Sequence, residues 1–291
     1  MSAPAVSGAA GAPGAPGSAA GAPGSAAGAS AAAGSMAGLL AAEARKMATY
    51  RPIGWVALAG AALPLLLTWL NGSGARADLA AGRGGWVTED LGIIGSGELL
   101  LAAAASAAIG VLVVGTEYVA LPELQGGGRQ ATTTALSVPH RGRVLAAKVL
   151  VAAAAVLVVA LVAALGGLLV ADRVLGEYAV PLDGERWGLG LRGAAYVALT
   201  GLLGLAVTAV LRNGLIPLIY LVGNSTVVSP SYLLTHVTDA AWYLPDTAAM
   251  TLMREPPDLG QPSALVGALV GAAWVAGFLA LAMVLDRRRD A

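Results

Sequence analysis

The sequence predicts an all-α membrane protein with six transmembrane helices, both termini in the cytoplasm and a disordered N-terminal tail. Of its 291 residues, 57% are apolar and only 12% are charged, about half the charged share of a typical soluble domain. The charges fall in clusters, and long stretches between the clusters carry none. Basic residues also concentrate in alternate connections, as the positive-inside rule requires of a multi-pass membrane protein.

Six charge-free stretches are each long enough to cross a bilayer, whose hydrocarbon core of about 30 Å needs roughly 20 helical residues. A soluble helix bundle would show a polar stripe along each helix, and no such stripe is visible. The predicted spans are Ile53–Leu70, Leu99–Thr116, Val149–Ala171, Gly193–Leu211, Gly214–Leu234 and Ser263–Leu285. Together they form a predicted six-span domain over residues 52–286.

The orientation of these spans follows from the positions of Lys and Arg. A cytoplasmic N-terminus places 11 of the 17 basic residues inside and 6 outside, which is the favoured bias. An even number of spans then returns the chain to the cytoplasm, where residues 287–291 form a short basic tail. We therefore expect a multi-pass protein of the cell (plasma) membrane with both termini cytoplasmic.

The N-terminal region divides into a tail and a helix. Residues 1–35 are almost entirely Ala, Gly, Pro and Ser, with a repeated GAPGSAA, and lack the large apolar side chains that offset the entropy of ordering. Residues 36–51 have apolar residues on one helical face, with Arg45 and Lys46 off it, which predicts a helix lying at the membrane interface. Glu43 falls on the apolar face and makes this pattern imperfect.

Several classes of function are disfavoured by composition. The 17 basic and 17 acidic residues balance, so no overall field attracts nucleic acid. There is no cysteine, and the two histidines lack zinc-site spacing, so we expect no metal site. Neither of the two lysines, Lys46 and Lys148, is followed by Ser or Thr, which excludes a phosphate-binding loop. We expect no catalytic residues and no cofactor bound by this chain.

The connection between the second and third predicted spans, residues 117–147, is too long for a simple turn. Three glycines at 126–128 would end the preceding helix, and Pro139 would end a short helix before the third span begins. A short helix parallel to the membrane is a surface on which a soluble partner could push. Alternatively, Arg141, Arg143 and Lys148 only satisfy the positive-inside bias.

The residues of this connection resemble those of a known family. The run from Thr116-Glu117-Tyr118 through Gly-Gly-Arg-Gln and Thr-Thr to Leu136, Pro139, Arg141-Gly142-Arg143 and Lys148 resembles permease subunits of type-2 ATP-binding-cassette (ABC) exporters, particularly actinobacterial ones. A second match is Trp242-Tyr243-Leu244-Pro245 before the last span, where that family often has a Tyr-Leu-Pro segment. The resemblance covers about residues 36–285.

The resemblance implies a six-helix half-transporter that forms the substrate path. Such a subunit pairs with a second permease, a copy or a paralogue, and with cytoplasmic ABC ATPase subunits that use ATP and Mg²⁺. The connection would then contain the coupling helix that docks on the ATPase. The implied coupling residues are Gln125, Arg129, Thr133, Leu136, Pro139, Arg141 and Arg143.

The fifth predicted span is the least apolar. Polar residues at membrane depth are tolerated where they are buried in protein or face a water-filled path. The resemblance implies that residues 226–262 form an outer loop that folds back as a gate. The candidate pathway or gate residues are Asn224, Thr226, Ser229, Tyr243 and Pro245. The alternative role of the hydroxyl and amide groups is hydrogen bonding between helices.

Two other functions fit a multi-pass chain. A secondary transporter commonly has charged or broken helices at mid-membrane, and the absence of charge near the span centres weighs against it. A multi-pass membrane protein without transport activity is the other alternative.

Overall fold

A computed structural model of the chain describes residues 35–83, 90–119, 141–226, 229–254 and 260–289. These residues form helices joined by turns and contain no strand. The long helices are α1 (Met36–Thr49), α2 (Arg51–Ala80), α3 (Leu99–Gly115), α4 (Arg141–Leu175), α5 (Gly184–Leu211) and α9 (Ala264–Arg289), and the shorter ones are α6 (Leu215–Thr226), α7 (Pro230–Thr235) and α8 (Pro245–Met250). The predicted tail, residues 1–35, lies outside the described residues except for Ser35.

Five of the described helices, α2, α3, α4, α5 and α9, are long enough and apolar enough to cross a membrane. They coincide with the first four predicted spans and the last one. The all-helical class is therefore confirmed, and the apolar helices indicate a membrane protein. The six-span count is not confirmed.

The predicted fifth span, Gly214–Leu234, contains two shorter helices, α6 and α7. With 12 residues, α6 extends about 18 Å, which is less than the hydrocarbon thickness. Helix α7 starts at Pro230 and is capped by Ser229, whose hydroxyl accepts a hydrogen bond from the Tyr232 amide at 3.1 Å. Proline suits a first turn because its missing N–H would be unpaired there anyway.

The contact between α3 and α5 forms the centre of the bundle, and both helices are largely buried. Small residues allow the two backbones to approach closely: a Cβ added to Gly204 would lie 2.7 Å from the Ala107 carbonyl oxygen. A Cβ on Gly110 would clash with the Gly201 carbonyl oxygen. Helices in lipid associate through such close packing because apolar burial between them gains little.

The outer surface of the bundle is apolar, like its core. Large apolar side chains on α2, such as Trp55 and Leu58, are exposed, while small residues such as Ala103 and Ala160 are fully buried. This distribution would be unfavourable in water, where large apolar groups are driven inside. It suits a bundle whose outer surface faces lipid.

Two ends of the bundle are defined by contacts between helix termini. At one end, the guanidinium of Arg212, just after α5, contacts the carboxylate of Asp286 near the end of α9 and lies over the Tyr118 ring at 5.8 Å, just after α3. We name this the charged end. Because α5 and α9 both finish there, the chain between them passes from the charged end to the opposite end.

At the opposite end of the bundle, a buried arginine holds the segment before α3 against α5. Arg186, in the first turn of α5, donates hydrogen bonds to the carbonyl oxygens of Gly92 at 2.6 Å and Ile94 at 3.0 Å. The Asp183 side chain caps α5 by accepting from the Arg186 amide at 2.9 Å. The segment before α3 is thereby held against the start of α5.

Replacing Gly204 with alanine should destabilise the bundle, because its Cβ would overlap the backbone of α3. Overpacking of this kind costs about 1–3 kcal/mol, so thermal unfolding in detergent should occur at a lower temperature. Gly188→Ala is the matched control on the same helix, since no atom lies within 4 Å of its added Cβ. Equal unfolding temperatures for the two variants would contradict the close α3–α5 packing.

Candidate functional site

Four charged side chains meet at the charged end, and we name them the charged cluster: Glu43 and Lys46 from α1, Glu117 just after α3, and Lys148 from α4. Lys148 Nζ donates to Glu117 Oε1 at 2.7 Å and to Glu43 Oε2 at 2.8 Å. Lys46 Nζ donates to the same oxygen of Glu117. Two ammonium groups and two carboxylates thus form one continuous, electrically balanced set.

Burial makes these ion pairs stronger than pairs on a surface. The Lys148 side chain is only 4% exposed, and that of Glu117 is 11% exposed. Charges in a medium of low dielectric attract strongly, and leaving one of them unpaired is costly. Burial lowers the pKa of Lys46, and the neighbouring Lys148 ammonium lowers it further, against the opposing effects of Glu117 and Glu43.

The cluster brackets the connection for which the sequence predicts a coupling helix. Glu117 is the first residue of this connection and Lys148 directly follows its last, so α1 is tied to both of its ends. Arg141 is the first residue of α4, and Arg143 is exposed in the first turn. The other predicted coupling residues, Gln125, Arg129, Thr133, Leu136 and Pro139, lie outside the described residues.

In the sequence, Glu43 interrupts the apolar face of a predicted amphipathic helix. The structure gives it a partner, because its carboxylate accepts from Lys148, 105 residues further along the chain. The signal in the sequence was a carboxylate on an apolar helical face, which needs a buried cation beside it.

A cavity of about 220 Å³ lies between α3, α5, α6, α7, α8 and α9. Its lining surface is mostly apolar, and we name it the polar cavity for the polar residues that stand in its wall. On α3 it is lined by Leu100, 17 positions before Glu117, which corresponds to a separation of about 25 Å along a helix. The cavity is therefore nearer the end of the bundle opposite the charged cluster. The polar residues that line it are Tyr196, Thr200, Ser229, Tyr232 and Asp246.

The hydrogen bonds of the polar cavity connect α7 to α8. Ser229 Oγ donates to Asp246 Oδ2 at 2.8 Å while it accepts from the Tyr232 amide. Asp246 lies in the first turn of α8, where a negative charge is favoured. The carboxylate is thus fixed in the wall of an otherwise largely apolar space.

Of the five predicted pathway residues, Ser229 and Pro245 line the polar cavity. Tyr243 does not line it: the residue is 48% exposed, and its carbonyl oxygen accepts from Trp274 Nε1 at 2.8 Å. Asn224 and Thr226 lie in the last turn of α6, and their side chains are not among those that the structure describes. Asp246 is not among the predicted pathway residues. The signal for it in the sequence is its position directly after Pro245, which is one of them.

An aromatic group adjoins the cavity. The Arg254 guanidinium lies over the ring of Tyr232 at 4.6 Å and that of Trp242 at 5.9 Å, and the two rings are 6.1 Å apart. Such stacking on ring faces is attractive for a cation. It joins the segment after α8 to α7, whose Tyr232 lines the cavity.

Comparisons of the chain with known protein families, with curated proteins and with solved structures return no match.

Replacing Glu117 with glutamine should destabilise the protein, because it leaves Lys46 without its carboxylate and Lys148 with Glu43 alone. Removing one partner of a buried pair costs roughly 3 kcal/mol, which thermal unfolding in detergent would register. Glu177→Gln, at an exposed carboxylate, should change stability by less than about 0.5 kcal/mol. A Glu117→Gln protein as stable as the control would refute the structural role of the cluster.

Proposed function

We propose that this chain is the membrane-spanning permease subunit of an ATP-dependent exporter of the type-2 ABC kind. It would form the substrate path and couple to a separate cytoplasmic ATPase, which binds ATP and Mg²⁺. The observation that carries the proposal is the charged cluster, which ties α1 to both ends of the 117–147 connection. A connection on which a motor pushes needs such a rigid attachment to the spanning helices.

The proposed orientation places the charged end in the cytoplasm of a plasma-membrane protein. The 11-to-6 bias of basic residues supports this orientation, and so does the position of Lys46, Lys148 and Arg212 at one end. The polar cavity then lies in the outer half. Six crossings, with the segment between α5 and α9 supplying one of them, would bring both termini to the cytoplasmic side.

The proposed mechanism is alternating access. ATP binding would bring the two ATPase subunits together and displace the 117–147 connection on each permease. Because Glu117 and Lys148 are joined by a buried ion pair, the ends of α3 and α4 would move together with α1. A second permease, identical or related, would complete the path. The partner can shift this equilibrium only by contacting the connection differently in its two states.

The first test is to extract the tagged full-length protein from its native membrane in mild detergent, with crosslinking, and identify co-purifying proteins by mass spectrometry. A soluble ATPase with a phosphate-binding loop is the expected partner. Recovery of the chain without any ATPase, even after crosslinking, would overturn the proposal. A stand-alone secondary transporter or a protein without transport activity would then fit better.

The substitution Thr133→Asp should abolish ATPase co-purification, because it places a negative charge on the proposed docking surface. Membrane insertion and abundance should remain normal. Thr238→Asp is the matched control: Thr238 is exposed at the opposite end, where it caps a helical turn and aspartate caps equally well. Retention of the ATPase by Thr133→Asp would exclude that position from coupling.

A further inference from the structure

We infer that another cavity, of about 320 Å³ between α1, α2, α3 and α4, binds one phospholipid with a zwitterionic amino head group, phosphatidylethanolamine. We name this cavity the interfacial pocket. The charged cluster supplies its polar wall through Glu43, Lys46 and Lys148, and apolar side chains supply much of the rest. The inference rests on the proposed function only in assigning the lipid to the cytoplasmic leaflet. Binding itself depends on the pocket alone.

The pocket lies where two predicted spans begin and end, which favours a lipid over a soluble ligand. Its wall includes Ile53, the first residue of the first predicted span, and Thr116, the last residue of the second. Val113 and Val151 add apolar surface within one helical turn of a span boundary. Tyr50, the extended residue between α1 and α2, is exposed, so the wall reaches the protein surface. A phospholipid has the same division into a polar head and apolar chains at this depth.

Lys46 provides a site for the lipid phosphate. Its ammonium carries three N–H donors, and among the described residues it donates only to Glu117. The Lys46 side chain is 26% exposed, whereas that of Lys148 is 4% exposed and already donates to two carboxylates. Hydrogen bonds from an ammonium to a phosphate are short and strong. We therefore assign the phosphate contact to Lys46.

Glu43 provides the complementary site for the lipid ammonium. Its Oε2 accepts from Lys148 at 2.8 Å, and no described residue donates to its Oε1. Glu43 and Lys46 are three positions apart on α1, so their Cβ atoms are about 5–6 Å apart. In phosphatidylethanolamine, a link of two carbons separates the ammonium from the phosphate ester. The two lipid charges are thus as close together as the two side chains that would bind them.

The balance of charge in the cluster discriminates among lipids. Its two ammonium groups and two carboxylates are already paired, so a ligand with a net charge would leave that charge uncompensated in a partly buried site. Phosphatidylglycerol, which is anionic, is therefore disfavoured. Phosphatidylcholine is zwitterionic, but its quaternary ammonium has no N–H to donate to Glu43. Phosphatidylethanolamine meets both requirements.

The test compares phosphatidylethanolamine, phosphatidylcholine and phosphatidylglycerol with identical dioleoyl chains. The full-length protein is delipidated in mild detergent, and the lipids bound at each concentration are counted by native mass spectrometry. We expect one high-affinity site for phosphatidylethanolamine, at least tenfold tighter than for the other two lipids. Equal affinity for the three lipids, or tighter binding of phosphatidylglycerol, would overturn the inference.

Two substitutions locate the site. Val151→Phe should abolish the high-affinity binding, because the larger side chain fills the pocket and leaves the four charges in place. Leu150→Phe is the matched control, since Leu150 is 54% exposed and outside the pocket wall, and this variant should bind as wild type does. Glu43→Gln should reverse the preference, because it leaves the site with a positive charge that favours phosphatidylglycerol over phosphatidylethanolamine.

Misfolding would weaken the binding of both lipids and would not reverse a preference. An unchanged preference in Glu43→Gln would overturn the inference, as would equal phosphatidylethanolamine binding by Val151→Phe and Leu150→Phe. The two proposals fail separately. Selective lipid binding without a co-purifying ATPase refutes the exporter and keeps the lipid site, whereas an ATPase partner without lipid selectivity does the reverse.

Discussion

The close contact between α3 and α5 fixes the positions of both candidate regions. Gly110 and Gly204 let the two backbones meet without intervening side chains, so the helices cannot slide without overlap. Packing of this kind is the main attraction available to helices in lipid. Because α3 reaches from Leu100 at the polar cavity to Glu117 at the charged cluster, one rigid element carries a residue of each region.

The charged cluster compensates the charge of a carboxylate on the apolar face of α1. Glu43 lies on the apolar face of α1, where an isolated carboxylate would be costly to bury. Lys148 supplies the compensating charge from α4, and Glu117 in turn balances Lys148 and Lys46. The position of α1 is therefore specific, because this helix can dock only where all four charges are paired. A purely apolar helix could rotate or slide on the same surface.

Hydropathy was sufficient to locate the long helices. The predicted span Leu99–Thr116 differs from α3 by one residue, and the predicted span Gly193–Leu211 ends where α5 ends, although α5 begins earlier, at Gly184. The fifth span differed because the absence of charge over a long stretch does not register the start of a new helix at Pro230, which Ser229 caps. Contacts across long sequence separations were also beyond reach. Neither the pairing of Glu43 with Lys148 nor the position of Asp246 in a cavity wall leaves a periodic signal.

The walls of the polar cavity differ in how firmly they are held. On one side, α3 and α5 are long, buried and packed backbone to backbone. On the other side, α7 has six residues, none of them buried, and depends on its Ser229 cap and on the hydrogen bond between Ser229 and Asp246. In contrast, α8 packs closely on α9, where a Cβ added to Gly267 would lie 2.5 Å from the Ala248 carbonyl oxygen. A short exposed helix loses little packing when it shifts, whereas sliding α3 past α5 would force backbone atoms into overlap. In the proposed exporter, opening of the cavity would therefore proceed by displacement of α7 against a stationary α3–α5 pair.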